Sequence, residues 1–326
     1  MKKTTSEQNN NLEIIRQNNI WKAPEIPGDI PCGDMPGDKV SIVEGHIAKA
    51  NVIFPELLKQ LYPVLEQQKK GVLTVCGGSG AGKSAIASLL SYYFNQIGIG
   101  SYTLSGDNYP RKIPMYNDAE RLHVFRESAL RGMLRENTYT KERFDIIHKF
   151  QTEGDDANTK HLEEYSWYES YLRNGKEGLK KFLGTNLELG FDDMTDTILK
   201  FKSGAEKIWL KRMGRTDTEL WFEQVDFSDI QILIIEWTHG NSDYYEGVDI
   251  PILLNSTPQE TMEYRRIRNR DGATDSPFTT MVLEIEQAML HSQAHKARII
   301  LSKSGELLNY EQYCRAMEES ADGSKE

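Results

Sequence analysis

The stretch "GVLTVCGGSGAGKSAIASLL", Gly71–Leu90, constrains this chain more than any other, because five of its residues are glycine. They stand between two runs of different character. Val72–Val75 is a short β-branched apolar run, and Ala85–Leu90 places small and aliphatic residues on a helical period. Gly77, four residues, then Gly82-Lys83-Ser84 match the spacing G-x-x-x-x-G-K-[ST] of a phosphate loop, in the strand-to-helix setting that the motif requires. Bare glycines let backbone N–H groups approach an anion, and the new helix turns its free N–H groups and positive end toward the same point. The spacing therefore predicts a nucleoside triphosphate held by Gly77, Gly78, Ser79, Gly80, Ala81, Gly82, Lys83, Ser84 and Ala85. In that motif the Lys83 ammonium reaches the β and γ phosphates and the Ser84 hydroxyl ligates Mg2+.

The length of 326 residues allows one large core, or one core with a smaller attachment. A formal net charge of -10 is unfavourable for a chain whose main partner is nucleic acid, since that affinity rests on Lys and Arg neutralising phosphates. Cys32, Cys76 and Cys314 are too scattered for a disulfide framework or a thiolate zinc site, and they match a reducing compartment. The N-terminus carries two lysines but no apolar segment behind them, and no run of about 18 apolar residues occurs. A soluble cytoplasmic protein that binds neither membrane nor nucleic acid is expected.

Residues 1 to about 20 read as a polar tail, and Ala23–Val40, with four prolines and three glycines, reads as an arm or linker. The next segment has helix-period apolar positions, with Pro55 near the expected helix start and Gly71 as its stop. Ser101–Leu104 is expected as a strand, and the run from Asn117 as a helix capped by Asn117 or Asp118. Residues 140 to about 200 read as a charged helical insert in which Tyr165, Tyr168, Tyr171 and Leu172 share one packed face. Two alternating runs around Gly214-Arg215-Thr216-Asp217 predict a β-hairpin. Ile230–Trp237 is the most apolar strand and is expected at the sheet centre. Another strand, "VDIPILLN", a helix capped near Thr257, a last helix and a closing strand "ARIILSKSG" follow. Strands alternating with helices predict an α/β fold with a mostly parallel sheet. The expected domains are 1–70 (tail, arm and helix), 71–310 (nucleotide-binding domain with the insert) and 311–326 (tail).

In such a sheet ligands sit beyond the carboxyl ends of the strands, where three polar signals fall. One is the phosphate loop. Another is Asp107 in "SGDNYPR", which suits a base accepting an acceptor-hydroxyl proton and equally suits an ordinary turn. The third is Glu236, a carboxylate after an apolar strand, as a Mg2+ site in a phosphate-loop protein needs. Arg265, Arg266, Arg268 and Arg270 crowd a helix end beside Asp271-Gly272, where they could close over a triphosphate; a solvated helix face is the plainer reading. The seven histidines show no metal-ligand spacing, and His239 stands out because it follows Glu236 at a strand end.

Taken in order, these residues resemble the phosphoribulokinase, uridine kinase and bacterial pantothenate kinase family of phosphate-loop kinases. The matching segments are "GGSGAGKS", "SGDNYPR", the hairpin "LKRMGRTDTELWFEQVDFSD", "LIIEWTHG" and "YRRIRNRDG", with Trp237 standing where the family usually has glycine. The resemblance covers roughly Gly71–Leu308. It implies a phosphate-loop NTPase three-layer fold carrying a β-hairpin and a helical insert, and transfer of the γ phosphate of Mg-ATP to a hydroxyl of a sugar, sugar acid or nucleoside-like acceptor. Carried over, Asp107 becomes the base, Lys83, Arg266 and Arg270 stabilise the transferring phosphoryl, Arg265 and Arg268 join the nucleotide lid, and Ser84 and Glu236 hold Mg2+. Asp107, Tyr109, Arg111, Arg212, Arg215 and His239 become acceptor-site residues. Homodimerisation is allowed for. An adenylylsulfate kinase-like enzyme and an ATP-binding regulatory or assembly module are the alternatives.

Overall fold

The computed structural model describes residue 13 and residues 21–28, 30–257, 259–263 and 276–322. The chain divides into two compact units. The first comprises Met1–Tyr109, Phe191–Thr257 and Leu290–Glu326; the second comprises Pro110–Gly190 and Pro258–Met289.

In the first unit, α1 (Glu44–Gln68) leads into β1 (Gly71–Gly77), followed by α2 (Lys83–Gln96) and β2 (Ser101–Ser105). The hairpin of β3 (Lys207–Met213) and β4 (Leu220–Asp226) precedes β5 (Ile232–Glu236), β6 (Ile250–Leu254), β7 (Ile299–Leu301) and β8 (Leu307–Leu308). The main sheet has the order β2-β5-β1-β6-β7-β8, parallel except for the last pair. Side chains alternate across it even where the strands are buried throughout. Leu73, Val75, Ile234, Ile252 and Leu301 pack with Phe54, Leu57 and Leu61 of α1 and Ile86, Leu90 and Tyr93 of α2. Cys76, Leu253 and Ile300 face the other way, onto Leu290, Ala294 and Tyr313. Helix, sheet and helix thus form three layers around a mostly parallel sheet, as the βα alternation predicts.

Several expectations shift. Helix α1 begins eleven residues before Pro55 and carries Pro55 and Pro63 inside it, because a continuous apolar face through Ile53, Leu57, Leu61 and Leu65 outweighs two missing backbone donors. Strand β5 lies inside the sheet between β2 and β1, and β1 and β6 form the middle pair. Full burial on both faces makes β5 the most apolar strand without making it the central one.

The second unit is mainly helical. Helix α3 (Pro114–Arg135) starts with proline in its first turn, so the Asn117 side chain is free of capping duty and donates to Glu188 Oε1 at 2.9 Å. Helices α4 (Lys141–Glu153) and α5 (Tyr168–Lys180) follow, and Phe125, Ile147, Tyr168, Tyr171 and Leu172 share one core with Met281 and Ile285. The aromatic face of α5 is packing, as its helical spacing suggests. Asp156 is buried there and accepts from both Arg126 Nε (2.9 Å) and Tyr171 OH (2.8 Å). Helix α6 (Phe191–Lys202) returns to the first unit; α7 (Pro277–Gln293) and α8 (Tyr310–Asp322) complete the chain. Residues 259–263 are helical, as expected after Thr257.

Candidate active site

Strand β1 is buried along its whole length and delivers the phosphate loop at its carboxyl end. Gly77, Gly80 and Gly82 have φ of 150°, 82° and 89°, values that side chains disfavour. At Gly77 a Cβ would also stand 2.6 Å from the Leu254 carbonyl oxygen, so both conformation and space demand glycine. Gly82 caps α2 without a side chain, leaving the first-turn N–H groups of Lys83, Ser84 and Ala85 directed at whatever occupies the loop. The Lys83 ammonium folds back on the Gly78 carbonyl at 3.1 Å, a position from which it can turn to an anion.

Glu236 ends β5 in register with Val75 of β1 and Ser105 of β2. Its carboxylate is clamped between two hydroxyls: Ser84 Oγ donates to Oε2 at 2.9 Å and Ser105 Oγ to Oε1 at 2.7 Å. Burial pushes its pKa up to about 7, and the negative charge of Asp107 adds to the rise; Lys83 and the two serine hydroxyls pull it back. Asp107 itself is exposed, on a single 3-10 turn, Gly106–Asn108, directly after β2. Lys83, Ser84, Glu236 and Asp107 therefore come from the carboxyl ends of three adjacent parallel strands. Ser84 and Glu236 place two hard oxygen donors side by side, the kind of set that suits Mg2+.

The other predicted residues fall in different settings. Tyr109 is buried, and burial raises its phenol well above the usual range. His239 is 9% exposed and meets Phe191 and Trp237 edge-on. Arg212 is 4% exposed: its guanidinium contacts Asp34 Oδ2 (2.8 Å), Glu223 Oε2 (3.0 Å) and Tyr102 OH (2.9 Å). Arg215 is exposed in the hairpin turn, where its backbone N–H donates to Glu219. Arg111 belongs to the second unit and donates through Nε to the Asn186 carbonyl at 2.6 Å. Arg265, Arg266, Arg268 and Arg270 lie outside the described residues.

Three neighbours of the site were not legible as such. Ser105 could have been noticed as the polar end of β2, since an in-register strand end faces Glu236. His46, at the start of α1, comes so near the loop that a Cβ on Gly82 would lie 3.0 Å from its Nε2. Asp34 sits in the proline-rich arm, where no local pattern distinguishes it.

No protein-family model matches the chain. The chain is 36% identical over 245 residues to the bifunctional alpha-galactosidase/sucrose kinase AgaSK of Mediterraneibacter gnavus, a match covering 75% of this chain. It spans about a fifth (21%) of that relative's length. Among solved structures, it is similar to a protein of Silicibacter sp. described as a fructose transport system kinase (TM-score 0.43, 12% identity, 76% of this chain and 95% of that one). A protein of Bacillus stearothermophilus described as a possible uridine kinase gives a TM-score of 0.35 at 14% identity over 75% of this chain and 98% of that one. Neither score is high enough to carry weight; the fold rests on the strand order and the loop.

Proposed function

We propose that this chain is an ATP-dependent kinase that transfers the γ phosphate to an alcohol group of a sugar, with sucrose the first acceptor to try. The observation that carries the reading is the grouping of Lys83, Ser84, Glu236 and Asp107 at adjacent strand ends. The relative named above is a sucrose kinase in part, and sequence identity of 36% over most of this chain favours a sugar over a nucleoside or sugar acid.

In this reading the loop amides and the α2 N-terminus bind the β and γ phosphates, and Lys83 leaves the Gly78 carbonyl to follow the charge that develops on the transferring group. Ser84 and Glu236 would hold Mg2+, which neutralises phosphate charge when bound. Ser105 holds the second oxygen of Glu236 and keeps the carboxylate facing Ser84. Asp107, exposed next to this cluster, accepts the proton of the attacking hydroxyl. Phosphoryl transfer of this kind depends mostly on positioning and electrostatics, so the inventory suffices in kind.

The test is ADP release by purified protein with Mg-ATP and a panel of sucrose, D-fructose, other sugars, sugar acids, nucleosides, pantothenate and adenylylsulfate. Release that depends on a sugar and disappears in Asp107→Asn is the expected result. A flat panel alongside tight ATP binding would overturn the kinase reading and favour a nucleotide-binding regulator.

A further inference from the structure

Residues 21–28 and 30–42, ahead of α1, form an arm that carries no recognisable motif, yet they are tied to the nucleotide-binding unit at specific points. Trp21 packs on Phe54 and Tyr93 at ring-centroid distances of 4.9 and 4.8 Å. Tyr92 OH donates to the Glu25 carbonyl at 3.1 Å. Further along, a Cβ on Gly33 would lie 3.4 Å from the Thr103 methyl group, so the arm runs against β2, the edge strand of the sheet.

The next residue, Asp34, has a side chain only 9% exposed and four donors on its two oxygens. Oδ1 accepts the Ser105 backbone N–H at 2.7 Å and the Asn108 side-chain amide at 3.1 Å. Oδ2 accepts Tyr102 OH at 2.9 Å and Arg212 at 2.8 Å. Asn108 in turn accepts the Met213 backbone N–H at 3.0 Å through its own side-chain oxygen. Ser105 and Asn108 bracket Asp107, and Arg212 and Met213 end β3. One carboxylate from the arm therefore fixes both ends of the turn carrying the candidate base and locks that turn to the hairpin.

A buried carboxylate is costly unless it is paired and hydrogen-bonded, and this one is satisfied by groups from two separate stretches, residues 102–108 and the end of β3. An apolar residue in its place would leave the Arg212 guanidinium, the Ser105 N–H and the Asn108 amide without this acceptor. What the carboxylate adds is a fixed geometry, and a displacement of about 1 Å at a reacting group can cost on the order of a hundredfold in rate.

We propose that Asp34 is a positioning residue for phosphoryl transfer: acting through Ser105, Asn108 and Arg212, it sets the Asp107 turn and the end of β3 against the acceptor. The arm is thereby part of the acceptor side of the enzyme. This inference rests on the kinase reading above.

The experiment uses full-length wild type, Asp34→Asn and Asp34→Ala, with Mg-ATP and sucrose, and follows steady-state kinetics together with backbone amide exchange. Asparagine keeps the shape but cannot accept on its nitrogen, so it loses one pair of donors. The expected result is a fall in kcat/KM for sucrose on the order of a hundredfold. KM for ATP should hold within about twofold, because Asp34 holds Ser105 by its backbone N–H, while the hydroxyl that links Ser105 through Glu236 to Ser84 is left in place. Exchange should quicken in residues 105–109 and 211–214 and stay unchanged in residues 77–85. Should the Asp34 variants fail to fold, Tyr102→Phe removes a single hydroxyl from the same carboxylate. It should lower kcat/KM for sucrose about threefold or more at constant KM for ATP. Variants with wild-type kinetics, or a parallel loss in ATP affinity and in phosphate-loop protection, would reduce Asp34 to a structural anchor and overturn the proposal. Absence of turnover in the wild type with sucrose and with every other acceptor of the panel above would instead refute the kinase reading, and the positioning role with it; turnover in the wild type with indifferent variants refutes the role alone.

Discussion

Gly106 lies flat against the indole of Trp237: a Cβ added at position 106 would stand 2.0 Å from Trp237 Cγ. Trp237 is 2% exposed and also packs on Phe191 and Tyr245. The bulky ring that departs from the family resemblance after Glu236 is thus accommodated by the missing side chain before Asp107. Gly106→Ala must push the turn or the ring aside, at a cost of about 1–3 kcal/mol. A lowered melting temperature with a disproportionate loss of acceptor-dependent turnover is expected; an unchanged melt and rate would show that the turn yields freely.

Lys83→Ala removes the ammonium that stands over the loop. Calorimetry should show weakened Mg-ATP binding and the coupled assay no transfer, whereas unchanged affinity would count against the loop assignment.

Asp107→Asn keeps the size of the side chain and removes its basicity. Turnover should fall by about 10²- to 10⁴-fold with ATP affinity within about twofold of wild type. A comparable loss of ATP affinity would place Asp107 on the nucleotide rather than on the acceptor.

Glu236 makes stability depend on pH. Its pKa rises from 4.5 unfolded to about 7 folded, mainly through burial. Between those values the folded chain keeps a proton that the unfolded chain has released, so stability falls as pH rises through the window and levels off above it. The loss attributable to this group is up to about 3 kcal/mol. Urea melts without nucleotide or Mg2+ at about pH 5 to 8 should show that slope in wild type and a flatter one in Glu236→Gln. Parallel slopes would mean that Glu236 ionises without penalty.

In the second unit, Asp156→Ala strands the Tyr171 hydroxyl and the Arg126 guanidinium that now converge on one carboxylate. A destabilisation of about 2–4 kcal/mol is expected, read by denaturant unfolding. A change below about 0.5 kcal/mol would show that water replaces the carboxylate easily.

The sequence by itself determined the phosphate loop, the βα alternation and the strand-end positions of Asp107 and Glu236. Each of these is written in local spacing: a glycine pattern, an apolar period, a polar residue where an apolar run stops. The β3–β4 hairpin was legible for the same reason, since its two alternating runs flank a Gly-containing turn. Strand order was not, because β5 is equally apolar in the middle of a sheet or one place from it. Nor was the start of α1, where the tertiary gain from a buried face overrode the local penalty of two prolines. Only the tertiary structure brought Ser105 and Ser84 to opposite oxygens of Glu236, laid Gly106 on Trp237, and carried Asp34 across 71 and 178 positions of sequence to Ser105 and Arg212. Such contacts arise when separate segments satisfy one another's buried polar groups, and no single segment records its partner in advance.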